Sequence, residues 1–278
     1  MAFLSELLDF RLFLVAAFIF LPLERLFAKS RGQKVLRRDW GNDLVYVFVN
    51  GVVIRLGLIA VVLATLAASR VAVPEGLRAA VADQPLWVQV IEVFLLADLG
   101  FYALHRLFHA VPALWRIHQI HHSIEEMDWL AAARVHPIDQ ILTKGASLLP
   151  CFALGFSEWA IGLFAIAYHW HSLLLHSNIR LSFGPLNRLI ASPDFHHWHH
   201  CRDREAWDRN FAGQLALWDY LFGTAFLPRG RTAERFGIGD PIPAGYPAQL
   251  LHPFRRQDTE AGQGTGSATA AAFPASAP

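Results

Sequence analysis

Apolar residues fall along the chain in blocks set apart by polar and basic stretches, and the lengths of these blocks predict helices that cross a membrane. Leu12 to Leu23 is apolar but short. It becomes a span only if its helix starts near Phe3 and carries Glu6, Asp9 and Arg11 at the outer end. Leu44 to Ala68 is long enough to cross, unbroken from Leu56 to Ala68 and interrupted earlier by Asn50 and Arg55. Leu86 to Phe108 is also long enough, with Glu92 and Asp98 inside it. Ile138 to Asn178 is too long for one crossing and is divided at Gly155, Phe156 and Ser157. There Ser157 is placed to cap a second helix with Glu158 in its first turn, so this block predicts a helical hairpin. Beyond residue 178 the chain turns polar and Trp-rich, with Trp198, Trp207 and Trp218 among Arg202, Arg204 and Arg209, as in a soluble cap. From Gln257 onward the residues are small and polar without a periodic apolar face, which predicts a disordered tail. The expected class is all-α: an integral membrane helical bundle of about four to five membrane helices, hairpin included, with a cytoplasmic His-rich helical cap.

Composition agrees with a membrane protein. The 278 residues are 54% hydrophobic and only 17% charged, too apolar for an ordinary soluble domain. A net charge of +1 gives no overall field for nucleic acid, so none is expected as a partner. Cys151 and Cys201 are the only cysteines, too few for a disulfide framework. Glu6 and Asp9 stand where a cleavable signal would carry positive charge, so no signal peptide is expected. The connection after the first block holds Lys29, Arg31, Lys34, Arg37 and Arg38 against Asp39 alone, which predicts that it is cytoplasmic. Two crossings later His105 is cytoplasmic again, and the hairpin returns His176 to that side. Arg55 and Glu92 lie at equal depth, roughly 18 Å along their helices at 1.5 Å per residue. They are either partners, or one of them lines a wet cavity.

Histidine carries the chemistry. His105 and His109 stand four apart; His118, His121 and His122 repeat the three-and-four spacing, as do His196, His199 and His200. On helices each set shares a face. Neutral imidazole is a common transition-metal ligand, and these clusters offer more nitrogens than one tetrahedral zinc uses, so two metals are expected.

The clusters HRLFH, HQIHH and HHWHH, in this order beside paired apolar segments, resemble the fatty acid hydroxylase and sterol desaturase superfamily of integral-membrane, histidine-box, non-haem di-iron oxygenases. RVHPID around His136, LLLHSN around His176 and the stretch from AWDRNFAG to WDYLFGT strengthen the likeness, which covers about residues 95–226. It implies two iron ions that activate O2 and attack a C–H bond of a lipid. The eight clustered histidines carry over as ligands, and His136 and His176 as ligands or their close supports. His197, His169 and His171 are weaker candidates. Asp98, Asp194, Asp208 and Asp219 are the acids expected to offset charge or accept imidazole N–H groups. Purified samples are expected to hold zinc in some cases, since zinc stands above iron in divalent affinity.

The resemblance further implies a lipid substrate, sterol, fatty acyl or related, taken from the bilayer, with Phe101, Tyr102, Phe164 and Tyr168 near its path. No side chain stores the electrons the reaction needs, so a separate donor is expected, ferredoxin-like or a haem protein with its reductase. The chain lacks the HPGG signature of a fused haem domain. Arg202, Arg204, Arg209, Arg229 and Arg231 would dock such a donor, or else serve the positive-inside bias. Hydroxylation and desaturation share the first hydrogen abstraction and stay open here. Two other classes stand beside the oxygenase: a membrane metallohydrolase and a non-enzymatic metal or haem carrier. The expected organisation is N-terminal membrane helices over 1–84, a catalytic region over 85–226, a C-terminal extension over 227–256 and the tail over 257–278.

Overall fold

A computed structural model describes residues 10–255. The approach to the first helix at Phe3, Glu6 and Asp9, and the tail from Gln257, lie outside the described residues. Helix α1 runs Phe10–Leu26. A helix over Trp40–Val45 (α2) passes through a π-helical turn, Tyr46–Asn50, into α3, Gly51–Ala72. The short α4 (Glu75–Ala82) leads into α5, Leu86–Ala110, and a break at Val111 starts α6, Pro112–His122. The hairpin consists of α7, Pro137–Leu154, and α8, Glu158–His176. Short helices α9 (Pro193–His199), α10 (Leu217–Leu221) and α11 (Tyr246–Leu251) punctuate an irregular C-terminal region. No strand forms among the described residues, only two isolated bridges.

Local chemistry accounts for these boundaries. The α7–α8 hairpin turns where expected: Gly155 ends α7 in the left-handed conformation at φ 85°, and the Ser157 hydroxyl accepts the Ala160 N–H at 3.3 Å. At the π-helical turn the widened backbone directs polar side chains inward. Tyr46 donates to Gln249 Oε1 at 3.0 Å and Asn50 Nδ2 to the Val135 carbonyl at 2.8 Å. Pro112, Pro137 and Pro193 each sit in the first turn of a helix, where a missing N–H costs nothing.

Two helices among the described residues are both long and apolar enough to cross a bilayer, Trp40–Ser69 and Leu86–Ala110. Only 11% of the most apolar stretch of the first is buried, so its aliphatic side chains face outward. That is the arrangement lipid stabilises. Helix α7 runs alongside α3 in the same direction, with Gly57 against Ile141 and Gly145 against Val61, and α5 packs between α7 and α8. Small residues allow the close approach, as expected where van der Waals packing holds membrane helices together. A Cβ on Gly100 of α5 would stand 2.3 Å from the Ala146 carbonyl oxygen of α7.

The basic connection after α1 is folded into the protein as well as charged. Arg37 reaches Asp128 through two bonds of 2.7 Å and Asp43 at 2.5 Å; Arg134 holds Asp43 at 2.6 and 3.0 Å. All four side chains are buried. At the end of α1, Glu24 accepts the backbone N–H groups of Trp129 at 2.8 Å and Asn178 at 2.9 Å, tying α1 to two loops. Glu92 meets Gln84 Nε2 at 3.1 Å, and Arg55 lines a cavity.

The crowding at Gly100 sets a test. Gly100→Ala is expected to destabilise by about 1–3 kcal/mol, because backbone must move. Gly162→Ala, with no atom within 4 Å of the new methyl, is expected to be neutral or to stabilise by about 0.5–1 kcal/mol. Thermal unfolding of the two variants in detergent compares them directly.

Candidate metal centre

Three helices and the end of a fourth bring the histidines together. His105 and His109 lie in the last turns of α5, and the break at Val111 turns α6 back so that His118, His121 and His122 face them. His176 is the final residue of α8. In α9, Ser192 caps the start through the Phe195 N–H at 3.3 Å, and His196, His199 and His200 follow. Nine rings form two groups: His105, His109, His118, His122 and His199, and beside them His121, His176, His196 and His200. Within each group the candidate ligand nitrogens all lie within 4.8 Å of one another.

The grouping adds what the shared helix face left open. Each H-x2-HH set is divided between the two groups. In α6 the four-apart pair His118 and His122 joins the first group and His121 the second; in α9 the pair His196 and His200 joins the second and His199 the first. The 3.6-residue period places positions three and four apart on either side of a helix face, so one short helix reaches both groups.

Hydrogen bonds decide which nitrogen is free in six of the nine rings. Nδ1 of His105 donates to the Phe211 carbonyl at 2.7 Å, of His121 to the Arg134 carbonyl at 3.1 Å, of His176 to the Ser172 carbonyl at 2.8 Å and of His199 to the Arg209 carbonyl at 2.7 Å. Nδ1 of His118 meets Asp139 at 2.6 Å and that of His109 meets Asp208 at 3.2 Å. A neutral imidazole with its proton on Nδ1 presents a lone pair at Nε2. These lone pairs face one another: His105 Nε2 is 3.0 Å from His118 Nε2, and His176 Nε2 is 3.1 Å from His121 Nε2. His109 Nε2 and His199 Nε2 are buried with no hydrogen-bond partner among the described residues. Opposed lone pairs repel unless a cation lies between them. Imidazole–metal bonds of about 2.1 Å at near right angles put nitrogens about 3 Å apart, the separation seen here. The donor set therefore fits a metal ion in each group, and imidazole suits iron, zinc, copper or nickel.

The other sequence candidates fall elsewhere. His136 caps α7, its Nδ1 accepting the Ile138 N–H at 3.2 Å and its Nε2 facing the Leu250 carbonyl at 3.2 Å, and it joins neither group. His197 contacts Lys29 at 2.9 Å and His171 the Ala191 carbonyl at 2.8 Å; His169 lines a cavity. Of the four acids, Asp208 touches a ring directly. Asp98 accepts the N–H groups of Gln214 and Leu215 at 2.8 Å, and Asp219 those of Phe211 and Ala212 at 2.8 Å. Both thus hold the loop whose carbonyls orient His105 and His199. Asp194 pairs with Lys29 at 3.7 Å; burial raises its pKa and Lys29 partly offsets that. Asp139 was missed. It lies in the RVHPID stretch, three residues after His136, and that spacing carried the available signal.

Asp208 and Asn210 adopt the left-handed region, at φ 56° and 58°. Asn210 compensates through its buried amide, donating to the Phe195 and Phe226 carbonyls at 2.8 Å each. Backbone held this way at a functional loop aims a carbonyl that ordinary geometry would turn aside.

A small cavity of about 40 Å³ reaches the rings, lined by Phe101, Tyr168 and Leu175. It shares Ala132, Gln140, Tyr168 and Ser172 with a cavity of about 430 Å³ enclosed by α1, α3, α7 and α8. Phe164 lines the larger one. Tyr102 does not join them: its hydroxyl pairs with Thr224 at 3.0 Å and its ring stacks on Phe222.

The fatty acid hydroxylase family model matches residues 90–224. An ornithine lipid hydroxylase of Rhizobium tropici is 31% identical over 173 residues, 62% of this chain and 52% of that protein. The human alkylglycerol monooxygenase is 35% identical over 165 residues, 58% of this chain and 36% of its own. A fatty acid hydroxylase of a Lecanicillium species is 30% identical over 150 residues, 47% of this chain and 40% of its own. The chain thus spans about half or less of the length of these relatives. No solved structure matches it.

Desolvation first, and neighbouring imidazoles second, hold the pKa values of His118, His122, His196 and His200 well below 6.5; desolvation does the same at His121 and His199. The folded protein therefore keeps these rings neutral at pH 7, as metal binding requires. The unfolded chain protonates its histidines near pH 6.5 while the folded one does not, so stability is full above that pH and falls below it. Each ring contributes about 1.4 kcal/mol per pH unit in that window. Chelator-treated full-length protein should unfold at progressively lower temperature from pH 7.5 to 5.5, and an unchanged midpoint would show the rings to be accessible to protons.

Proposed function

We propose, from the premise that residues 90–224 are a fatty acid hydroxylase domain, that the protein is a membrane-bound lipid hydroxylase working at a di-iron centre. The observation that carries this reading is the pairing of opposed Nε2 lone pairs in two adjacent all-histidine groups. His105, His109, His118, His122 and His199 would hold one iron, and His121, His176, His196 and His200 the other. Bound there, the pair would supply the redox chemistry that activates O2 against a C–H bond, with electrons delivered by a separate donor.

The protein's own residues do the rest. Carbonyls of Phe211, Arg134, Ser172 and Arg209, with Asp139 and Asp208, keep the Nδ1 protons of His105, His121, His176, His199, His118 and His109 in place, so those six lone pairs stay aimed inward. Neither group contains a carboxylate; Asp139, 2.6 Å from His118, is the buried acid that meets a ring directly. Phe101, Tyr168 and Leu175 exclude water from the small cavity, and the larger cavity accommodates an alkyl body taken directly from lipid. The ends of α5 and α8, the start of α7 and the whole of α6 meet at one end of the bundle. With the basic stretch Lys29 to Arg38 at that same end, we read it as the cytoplasmic face, and α1, α3, α5 and the hairpin as the membrane part. On this reading residues 1–84 are membrane helices, 85–226 the catalytic region and 227–256 an extension that covers it. Exposed Arg202, Arg204 and Arg229 offer a donor its docking surface, whereas Arg231 is paired with Glu205.

The reading is tested by lipid extracts of cells with and without the gene, grown under 18O2. A hydroxylated lipid carrying the label is expected with the intact gene, and unchanged lipids under aerobic growth would refute it. His118→Ala and His176→Ala are expected to abolish the product. Asp139→Asn should lower it about 10–100-fold, and His136→Ala should leave about two iron ions per purified chain.

A further inference from the structure

One face of α5 changes its surroundings halfway along. Ile91, Leu95, Asp98 and Tyr102 succeed one another at helical spacing and share that face. Ile91 and Leu95 are exposed, on a helix long and apolar enough to cross a bilayer. From Asp98 onward the same face is covered by the C-terminal region. Asp98 accepts the N–H groups of Gln214 and Leu215 at 2.8 Å, a Cβ on Gly213 would stand 2.9 Å from the Phe101 ring, and Phe222 stacks on Tyr102. At 1.5 Å per residue, Asp98 lies about 18 Å along α5 and about 10 Å short of His105. The covering segment therefore sits beside the span, below the level of the histidines.

A second segment is bound to the first. Ala191 donates its N–H to the Gln214 carbonyl at 2.8 Å, Leu217 donates to the Leu189 carbonyl at 3.4 Å, and His171 of α8 donates to the Ala191 carbonyl at 2.8 Å. Irregular backbone persists at membrane depth only where its polar groups are satisfied. Here Asp98 and Asp219 together accept the N–H groups of Phe211, Ala212, Gln214 and Leu215. The turns close on themselves, Ile190 N–H on the Leu186 carbonyl at 2.8 Å and Phe222 N–H on the Trp218 carbonyl at 2.9 Å. Outward, the two segments present apolar side chains: Leu186 is 58% exposed, Leu189 46%, Leu221 62% and Phe222 51%. The charged residues of 180–191 and 209–223 are Arg180, Arg188, Arg209 and Asp219, and of these only the acid is buried. An apolar outer surface edged by arginine suits the boundary between acyl chains and headgroups. Its continuity with the exposed aliphatic face of α5 identifies lipid as what covers it.

We infer that segments 184–190 and 217–222 form an interfacial anchor. They dip into the leaflet on the histidine side, with Leu186, Leu189, Leu221 and Phe222 among the acyl chains and the arginines at headgroup level. This rests on reading α3 and α5 as membrane helices. It takes one edge of the region beyond residue 178 out of the aqueous phase.

The test uses full-length protein with one added cysteine carrying a nitrobenzoxadiazole fluorophore, in phosphatidylcholine vesicles with or without bromine on the acyl chains. Cys151 and Cys201 are buried, and the unsubstituted protein measures their background. Label at Leu189→Cys and at Leu221→Cys should lose as much emission to brominated chains as label at Leu63→Cys on α3, whereas label at Arg204→Cys should lose none. All four positions are exposed, so the fold tolerates the substitutions. Quenching at Leu63 with none at Leu189 and Leu221 would overturn the anchor and leave the membrane helices standing. Absence of quenching at all of these sites would refute the membrane reading itself. Emission is read without oxygen or turnover, so a failed lipid-labelling experiment beside a quenched anchor would count against the hydroxylase alone.

Discussion

Two imidazole nitrogens that have given their protons to the far side of their rings cannot rest 3 Å apart without a positive charge between them. That constraint organises the polar half of this molecule. The far-side acceptors are mostly backbone carbonyls, at Phe211, Arg209, Arg134 and Ser172, and a carbonyl holds a ring only as firmly as its own segment is held. Buried charge supplies the firmness. Asp98 and Asp219 clamp the segment from Phe211 to Leu215, and the chain Asp128, Arg37, Asp43, Arg134 clamps the turn that presents the Arg134 carbonyl. Replacing such pairs by apolar residues often costs a protein little stability. Their contribution here is position.

The helical half provides the frame. Helices α5 and α7 approach closely because Gly100 lets the Ala146 carbonyl in, and α3 beside them keeps its aliphatic face outward. Their direction brings every histidine-bearing end to the same level of the bundle. The cavity between α1, α3, α7 and α8 lies within that frame, with Phe13, Trp129 and Phe164 among the side chains that line it.

Much of this was legible in the amino-acid order. Gly155 and Ser157 mark the hairpin because a left-handed glycine and a hydroxyl cap are local devices that need no tertiary partner. The histidine spacings mark candidate metal ligands for the same reason. What the spacing cannot show is which ring joins which group, because that depends on how α6 and α9 cross the other helices. Asp139 escaped notice since its role is set by a partner 21 residues away, and the carbonyl acceptors are invisible because any residue has one. Arg37 read as a topological charge and is also the centre of a buried ion network. Helices α7 and α8 read as membrane crossings, yet neither matches Trp40–Ser69 or Leu86–Ala110 in combined length and apolarity. The residues that line the cavity and meet the rings displace part of their apolar surface.

Because α6 and α9 each contribute to both histidine groups, the two groups are mechanically one. A rotation of either short helix that tightens one group must loosen or tighten the other. On the di-iron reading, occupancy of one group is coupled to occupancy of the other, and a lesion at any single ring is a lesion of the pair.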